Sequence, residues 1–190
     1  MRNNSIVAPV LSLSLLCVGA AHAAGMALSS PDFKNKGTLP MEQVYKGFGC
    51  TGGNVSPELK WKGAPKGTKS FALTVYDPDA PTGSGWWHWV MFNIPADVTS
   101  LPKNAGDPAA NLAPAGSVQG RTDFGTAGYG GPCPPQGDKP HHYRFTVYAL
   151  DVDKIDADQN ASAAYVGYNI HFHTLAKGKL LGLYGRAKEK

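Results

Sequence analysis

The 190-residue sequence has few cysteines, no dense run of basic residues and no long apolar segment beyond its N-terminus. Lysine and arginine number 18 against 14 acidic residues and are spread along the chain, which does not support a nucleic-acid partner. No later segment approaches the ~20 apolar residues of a spanning helix, so we expect no transmembrane segment in the mature chain. A G-x-S-x-G nucleophile elbow is also missing, so a hydrolase would have to use water as its nucleophile.

The N-terminus has the pattern of a secretory signal peptide. Arg2 supplies a positive charge, Ile6–Ala20 is mostly apolar, and Ala21–Ala23 has the small-x-small pattern of a cleavage site. We therefore predict a signal peptide over residues 1–23 and a single mature domain over residues 24–190, located in the periplasm or secreted. The alternative is a single membrane anchor, although the apolar run is short of the ~20 residues that spanning requires.

The cysteines indicate one disulfide bond. Cys17 leaves with the signal peptide, so the mature chain keeps Cys50 and Cys133, and an even pair in an exported protein is typical of a disulfide. The bond would close a loop of more than eighty residues, which is worth roughly 4–5 kcal/mol in the chain-entropy model. The alternatives are two buried free thiols, or Cys133 as a nucleophile with a lowered pKa.

Short apolar segments separated by glycine and proline predict a mostly-β protein. The segments that predict strands are Lys69–Asp77, Trp87–Pro95 and His141–Asp151, with weaker patterns at Met26–Ser29, Leu59–Trp61 and Leu175–Leu183. Ala161–Ile170 is the best helix candidate. We therefore predict an all-β sandwich with a minor helix in the C-terminal half. We expect the Gly/Pro-rich segment over residues 102–140 to carry function or to be disordered.

Three ionisable residues stand where the predicted strands begin or end. Asp77 closes the first of the three main strands, while His88 opens the second and His141 opens the third. Because alternate residues of a strand share a face, each should lie at the rim of an apolar face, with His88 on the face of Val90 and Phe92. Buried charges usually face a ligand or each other. In antiparallel neighbours, Asp77 would lie beside His88, raise its pKa and fix its orientation.

Two loops beside these strands carry residues that shape a pocket. In Asp77–Pro81 the prolines stiffen the exit from the strand and Asp79 can bond nearby backbone N–H groups, while Trp86 can supply an apolar wall. Glycine lets the Gly131–Cys133 backbone approach a ligand closely, and successive N–H groups can form an anion-binding nest. The alternatives are a solvated turn, a satisfied core histidine at His88 and a rigid loop held by the disulfide.

Together these motifs resemble the phosphatidylethanolamine-binding protein family, and most closely its bacterial Raf-kinase-inhibitor-like branch. The matching positions, between Ala27 and Arg186, are Gly49, Cys50, Asn54, Ser56, Pro57, Leu59 and Trp61, then Asp77–Pro81, Trp87–Trp89, Asn93–Pro95, Gly131–Pro135, Pro140, His141 and Tyr143. The resemblance implies an antiparallel Greek-key β-sandwich and a small pocket that accepts phosphate or phospholipid head groups. It also implies a binding or regulatory role towards a kinase, a protease or another protein target, with no established reaction.

The resemblance also assigns the residues of the pocket. The ligand-binding residues that it implies are Asp77, Trp86, His88, Gly131, Cys133, Pro134, His141 and Tyr143, with Asp79 and Pro81 as loop-organising residues. One departure is clear, because His142 stands where the family usually has arginine. That substitution puts in doubt the charge-assisted bond that an arginine would make on the outer face of the strand.

The anion-binding hypothesis has two chemical alternatives. Asp77, His88 and His141 form a set of two histidines and one carboxylate that can bind a metal ion, and His171 with His173 is a weaker metal candidate. A hydrolase would use one pocket histidine as general base and Asp77 to orient it. We expect neither a metal nor a cofactor. We expect the pocket histidines to bind an anion more tightly below about pH 6.5, where histidine becomes charged.

Overall fold

The computed structural model describes residues 25–188, so the predicted signal peptide over residues 1–23 lies outside the described part of the chain. Within residues 25–188 the chain forms eleven strands, one α-helix and one short 3-10 helix. The strands are β1 Ala27–Ser29, β2 Gly37–Thr38, β3 Lys46–Gly47, β4 Cys50–Thr51, β5 Leu59–Lys62, β6 Ser70–Asp77, β7 Trp86–Pro95, β8 Ser100–Leu101, β9 Val118–Gln119, β10 His141–Leu150 and β11 Thr174–Tyr184. Helix α1 spans Ala163–His173, and the 3-10 helix spans Pro108–Ala110. No helix of this described part is long and apolar enough to cross a membrane.

One six-stranded sheet forms the centre of the protein. Its strand order is β2-β11-β10-β6-β7-β9, in which β2 and β11 are parallel and the other neighbours are antiparallel. A three-stranded antiparallel sheet, β1-β5-β8, packs over one face, and β3-β4 is a separate hairpin. Over residues 25–188 the fold is therefore mostly β with one α-helix, as predicted, and it is consistent with a Greek-key sandwich.

The larger apolar core lies between the two sheets. Alternate side chains of β6 and β10 point into this core, as the period of two predicts. These side chains, each at most 1% exposed, are Phe71, Leu73, Val75, Phe145 and Val147. Burying one such side chain stabilises the fold by about 1.5–3 kcal/mol. Asp77 and His141 continue the two rows at the strand ends, so the prediction that both share the inward apolar face is confirmed.

Helix α1 covers part of the opposite face of the six-stranded sheet. Its buried residues, which join a second apolar cluster, are Ala163, Val166 and Ile170. The hydroxyl of Ser162 accepts a hydrogen bond from the Tyr165 N–H at 3.2 Å, and this cap places the helix start two residues after the predicted Ala161. The helix then continues to His173, three residues beyond its predicted end.

A β-bulge in β7 decides the direction of His88. The pairing of β6 with β7 shifts between Val75 and Tyr76, which leaves His88 as an extra residue in β7. Val90 and Phe92 pack in the cluster beneath α1, whereas His88 lines a cavity on the other face of the sheet. The prediction that these three residues share a face is therefore wrong, because a bulge resets the alternation of a strand.

A second irregularity of β7 lies at Asn93. The backbone there has a φ of 58°, and the pairing with β6 shifts between Phe71 and Leu73. The Asn93 side chain accepts a hydrogen bond from the Ile155 N–H at 2.7 Å and donates one to the Ile155 carbonyl at 3.2 Å. Asparagine tolerates the left-handed conformation better than other non-glycine residues. The strand thus changes face at a position that long-range bonds stabilise.

The Gly/Pro-rich segment over residues 102–140 is held against the sheet by hydrogen bonds. The Gly130 N–H donates to the His88 carbonyl at 2.8 Å, and the Tyr129 N–H donates to the Gly106 carbonyl at 2.8 Å. Strand β9 within the segment pairs with β7. These bonds bring the loop beside the start of β7 and β10, where the candidate site lies.

Candidate ligand-binding site

A cavity of about 230 Å³ opens where β6 ends and β7 and β10 begin. The predicted residues that line it are Asp77, Pro81, Trp86, His88, Cys133, Pro134, His141 and Tyr143. The remaining lining residues are Phe48, Ala80, Thr82, Phe124 and Pro135. The structure therefore brings the three ionisable residues to one cavity, although Asp79 and Gly131 lie outside its lining.

Asp77 pairs with His141 inside the cavity wall. The Nδ1–H of His141 donates to Asp77 Oδ2 at 2.8 Å, and the two side chains are 4% and 3% exposed. The other carboxylate oxygen of Asp77 accepts the Asp79 N–H at 2.8 Å. His141 Nε2 lies 3.4 Å from Asp138 Oδ2 at the cavity edge. The sequence predicted that Asp77 fixes the orientation of His88, and this is wrong because the bulge turns His88 towards the Gly130 loop, whose carbonyl bonds its Nδ1. The predicted effect of the Asp77 charge, which raises the pKa of His88, is present but is outweighed by burial.

His88 is buried and neutral at ordinary pH. Its Nδ1 lies 2.7 Å from the Gly130 carbonyl, which can only accept, so Nδ1 carries the proton. Burial lowers the pKa of His88 to about 4, against the opposing effects of the Gly130 bond and the Asp77 charge. The ring therefore has an unprotonated Nε2 at pH 6.5. The expectation that His88 is already charged near that pH is wrong.

An aromatic wall closes one side of the cavity. The Phe124 ring contacts Trp86 and His88 edge-on, with centroid distances of 5.4 Å in both cases. Phe48, which is 70% exposed, lies parallel to Phe124 at 5.9 Å and forms the outer rim. Sequence reasoning missed Phe48 and Phe124. The only local signal was that Phe48 stands two residues before a disulfide cysteine.

The predicted disulfide is present between Cys50 and Cys133, whose Cα atoms are 6.0 Å apart. It ties the β3-β4 hairpin, which carries Phe48, to the loop that lines the cavity. Arg186 Nη1 lies 3.2 Å from each sulfur atom and 3.5 Å from the Phe48 carbonyl. The disulfide therefore holds the cavity rim in place.

The predicted anion nest at Gly131–Cys133 is not formed as expected. The Gly131 N–H donates to Asn54 Oδ1 at 2.8 Å, so it is not free for a ligand, and Pro132 has no N–H. A Cβ at position 131 would collide with the Gln43 carbonyl, which explains why glycine stands there. The nest prediction is therefore wrong for Gly131, which supports the loop from behind the cavity.

Tyr143 contributes an unpartnered hydroxyl to the site. The side chain packs edge-on against the His88 ring at 5.1 Å and lines the cavity. Its hydroxyl is buried and has no hydrogen-bond partner among residues 25–188. Burial, with a further contribution from the Asp77 charge, raises the pKa of Tyr143 well above its usual range. The hydroxyl thus keeps its proton and is a donor without an acceptor among residues 25–188.

Asp79 organises its loop through His142. One carboxylate oxygen of Asp79 accepts both the His142 N–H and the Nδ1–H, each at 2.7 Å. Burial alone would raise the pKa of Asp79, but the His142 bonds and charge outweigh this effect and lower it. Histidine at the position where the family usually has arginine therefore still supplies a bond on the outer face.

The alternative metal sites receive little geometric support. Among residues 25–188 no three His, Cys, Asp or Glu side chains are grouped to hold a metal ion. His171 and His173 both lie in the last turn of α1, and His173 Nδ1 bonds Asp151 Oδ1 at 2.9 Å. In the cavity, the Asp77–His141 bond already uses one potential ligand atom of each residue.

A mostly-β fold with a carboxylate and two imidazoles in a cavity at one sheet end defines a small β protein with a candidate ligand site. The family model for phosphatidylethanolamine-binding protein matches residues 29–185, and the chain belongs to that family. Two Escherichia coli K12 relatives are UPF0098 protein YbcL, 54% identical over 165 residues, and UPF0098 protein YbhB, 50% identical over 159 residues. The first match covers 87% of this chain and 90% of the relative, and the second covers 84% and 99%.

Solved structures give the same result. The crystal structure of E. coli YbcL, described as a new member of the mammalian PEBP family, matches with a TM-score of 0.84 and 54% identity. That match covers 85% of this chain and 99% of the other. A PEBP homolog from Chlamydia trachomatis, CT736, matches with a TM-score of 0.71 and 31% identity, covering 85% and 98%. The predicted family and the mostly-β fold are therefore confirmed.

Proposed function

We propose that this protein binds a small anionic group, such as phosphate or a phospholipid head group, in the cavity beside His88. The observation that carries this proposal is the cavity, which is lined by two imidazoles and by Tyr143, whose buried hydroxyl has no hydrogen-bond partner among residues 25–188. Family membership supports a ligand-binding and regulatory role, and we extend it to regulation of a protein partner. The N-terminal sequence pattern supports a location in the periplasm or outside the cell.

Anion binding in this cavity couples to protonation of His88. The neutral ring has its only N–H on Nδ1, bound to Gly130, so a second proton on Nε2 is needed before the ring can donate to an anion. A bound anion stabilises the imidazolium and raises its pKa above the value of about 4 in the empty cavity. Affinity therefore rises as pH falls, by up to about tenfold per pH unit, and stops rising below about pH 4.

Calorimetric titration with inorganic sulfate tests this coupling, because sulfate stays fully ionised over the range from pH 7 to pH 4. Titrations in buffers with different ionisation enthalpies measure the protons taken up on binding. We expect uptake of close to one proton and increasing affinity towards pH 4. Affinity that is flat over this range, with no proton uptake, contradicts the proposal.

A tyrosine pair provides the matched control for the site. Tyr143→Phe removes the cavity hydroxyl and is expected to weaken binding of sulfate and of phosphoethanolamine by about tenfold, since a hydrogen bond to a charged group contributes about 1.5–3 kcal/mol. Tyr168→Phe removes an exposed hydroxyl on α1 and is expected to leave both affinities unchanged. Equal affinities for wild type and Tyr143→Phe would contradict the placement of the ligand.

A hydrolase in this cavity would have to use water as its nucleophile, because Cys133 is joined to Cys50 and the Thr82 hydroxyl donates to the Gly85 carbonyl. The geometry supports anion binding best, because the unpartnered Tyr143 hydroxyl is a donor that binding uses and hydrolysis does not require.

A further inference from the structure

An open groove crosses the face of the six-stranded sheet opposite the cavity. It lies over β6, β10 and β11 and has a volume of about 460 Å³. A second depression of about 590 Å³ continues it along α1, and the two share Thr74, Trp87, Tyr148 and Lys177. We call the two depressions together the basic groove. Because successive side chains of a strand point to opposite faces, the sheet itself separates this groove from Asp77 and its cavity.

Three cations in the basic groove lack a counter-charge. Arg144, Lys177 and Lys179 are exposed and form no ion pair or hydrogen bond with other side chains in the described part of the chain. Neither depression is lined by an aspartate or a glutamate. Lys60 and Lys103 elsewhere on the surface do pair with carboxylates. Lys177 and Lys179 alternate along β11, which places them about 7 Å apart on the same face.

The floor of the groove is aromatic. The rings of Tyr76 and Trp87 contact each other at a centroid distance of 4.5 Å with a tilt of 42°, and both are half-buried. Tyr148, on the neighbouring β10, extends this floor towards α1. The Thr146 hydroxyl lies in the same groove and makes no hydrogen bond with residues 25–188. The groove therefore combines apolar ring surface, a free hydroxyl and positive charge.

We propose that the basic groove binds an acidic oligosaccharide, a chain of sugar rings that carry carboxylate groups. The apolar face of a sugar ring packs on Tyr76 and Trp87, and its hydroxyls bond Thr146. The carboxylates pair with Lys177, Lys179 and the planar fork of Arg144, which binds carboxylates through two parallel hydrogen bonds.

Two other polyanions fit the groove less well. Single-stranded nucleic acid stacks successive bases on separate aromatic faces, whereas Tyr76 and Trp87 partly cover each other. Among the described residues, only three unpaired Lys or Arg side chains line the groove, whereas a nucleic-acid backbone carries a charge at every nucleotide. An anionic membrane is a flat surface and does not reach the aromatic floor of a concave groove.

Binding of tetragalacturonate, with its fully methyl-esterified form as a neutral comparison, tests this proposal. Calorimetry and backbone amide NMR on the 24–190 chain measure affinity and location. We expect shifts confined to β6, the start of β7, β10, β11 and α1. We expect added salt to weaken binding, because exposed ion pairs are screened. We expect the ester to bind at least tenfold more weakly, because it has no carboxylates to pair with the lysines and Arg144.

Two pairs of lysine substitutions provide the control. Lys177→Gln with Lys179→Gln is expected to weaken tetragalacturonate binding about tenfold, while Lys62→Gln with Lys66→Gln, at exposed positions elsewhere, leaves it unchanged. All four side chains are exposed, so the fold is retained. Tyr143→Phe leaves this binding unchanged, which separates the groove from the cavity. Any of three results overturns the proposal. These are equal binding of the ester and the free acid, equal losses in both lysine pairs, and tighter binding of oligothymidylate or phosphatidylglycerol vesicles than of tetragalacturonate.

Discussion

Replacing His88 by glutamine is expected to change how stability depends on pH. The ordinary pKa of histidine is about 6.5, and burial lowers that of His88 to about 4 in the folded protein. Between these values the unfolded chain binds a proton that the folded chain does not. Stability is therefore complete above pH 6.5 and falls as pH drops, with the loss complete near pH 4. The difference of roughly 2.5 pKa units corresponds to about 3 kcal/mol.

Glutamine suits this test because its amide N–H can still donate to the Gly130 carbonyl while the side chain does not titrate. Urea unfolding followed by circular dichroism, from pH 7.5 to pH 4, gives the free energy of unfolding of both proteins. We expect the wild type to lose about 3 kcal/mol more than His88→Gln over this range. Carboxylates such as Asp79 contribute equally to both proteins, so their effect cancels in the comparison.

An exposed histidine provides the matched control. His171→Gln removes a solvent-exposed imidazole on α1 and is expected to leave the pH dependence of the wild type unchanged. Parallel unfolding curves for wild type and His88→Gln would refute the reasoning, because they would mean that the folded protein protonates His88 as readily as the unfolded chain does. Sulfate at saturating concentration should reduce the loss of wild-type stability at low pH, since the anion favours the imidazolium.

Substitutions at three further places test the framework of the fold. Asp77→Ala leaves the buried His141 Nδ1–H unpaired and should cost about 3–5 kcal/mol in urea unfolding; a loss below about 1 kcal/mol contradicts the buried pair. Replacing Cys50 and Cys133 together by alanine opens a loop of sequence separation 83 and should lower stability by roughly 4 kcal/mol. An unchanged urea midpoint would argue against a stabilising role of the disulfide. Asn93→Ala should lower stability by about 2–3 kcal/mol in thermal unfolding, and Asn93→Gly should recover part of that loss because glycine accepts the φ of 58°.

Much of the strand content could be predicted because its signals are local. The three central strands begin and end within one residue of the predicted bounds, since alternating apolar residues flanked by Gly and Pro need no tertiary information. The inward face of Asp77 and His141 also followed from period two. The direction of the His88 side chain could not be predicted in this way, because the register shift opposite Val75 and Tyr76 arises from the pairing of two strands. Local patterns likewise could not predict the end of α1 or the place of Phe124 in the cavity wall.

The sequence by itself determined the family, the cysteine pair and which ionisable residues stand at strand ends, because these depend on residue type and short-range spacing. Only the tertiary structure decided which carboxylate holds which imidazole. Asp77 and His141 are 64 residues apart in the chain and bond because β6 and β10 are neighbours. It also decided that His88 is neutral, since a pKa depends on the burial and the partners that the complete fold provides.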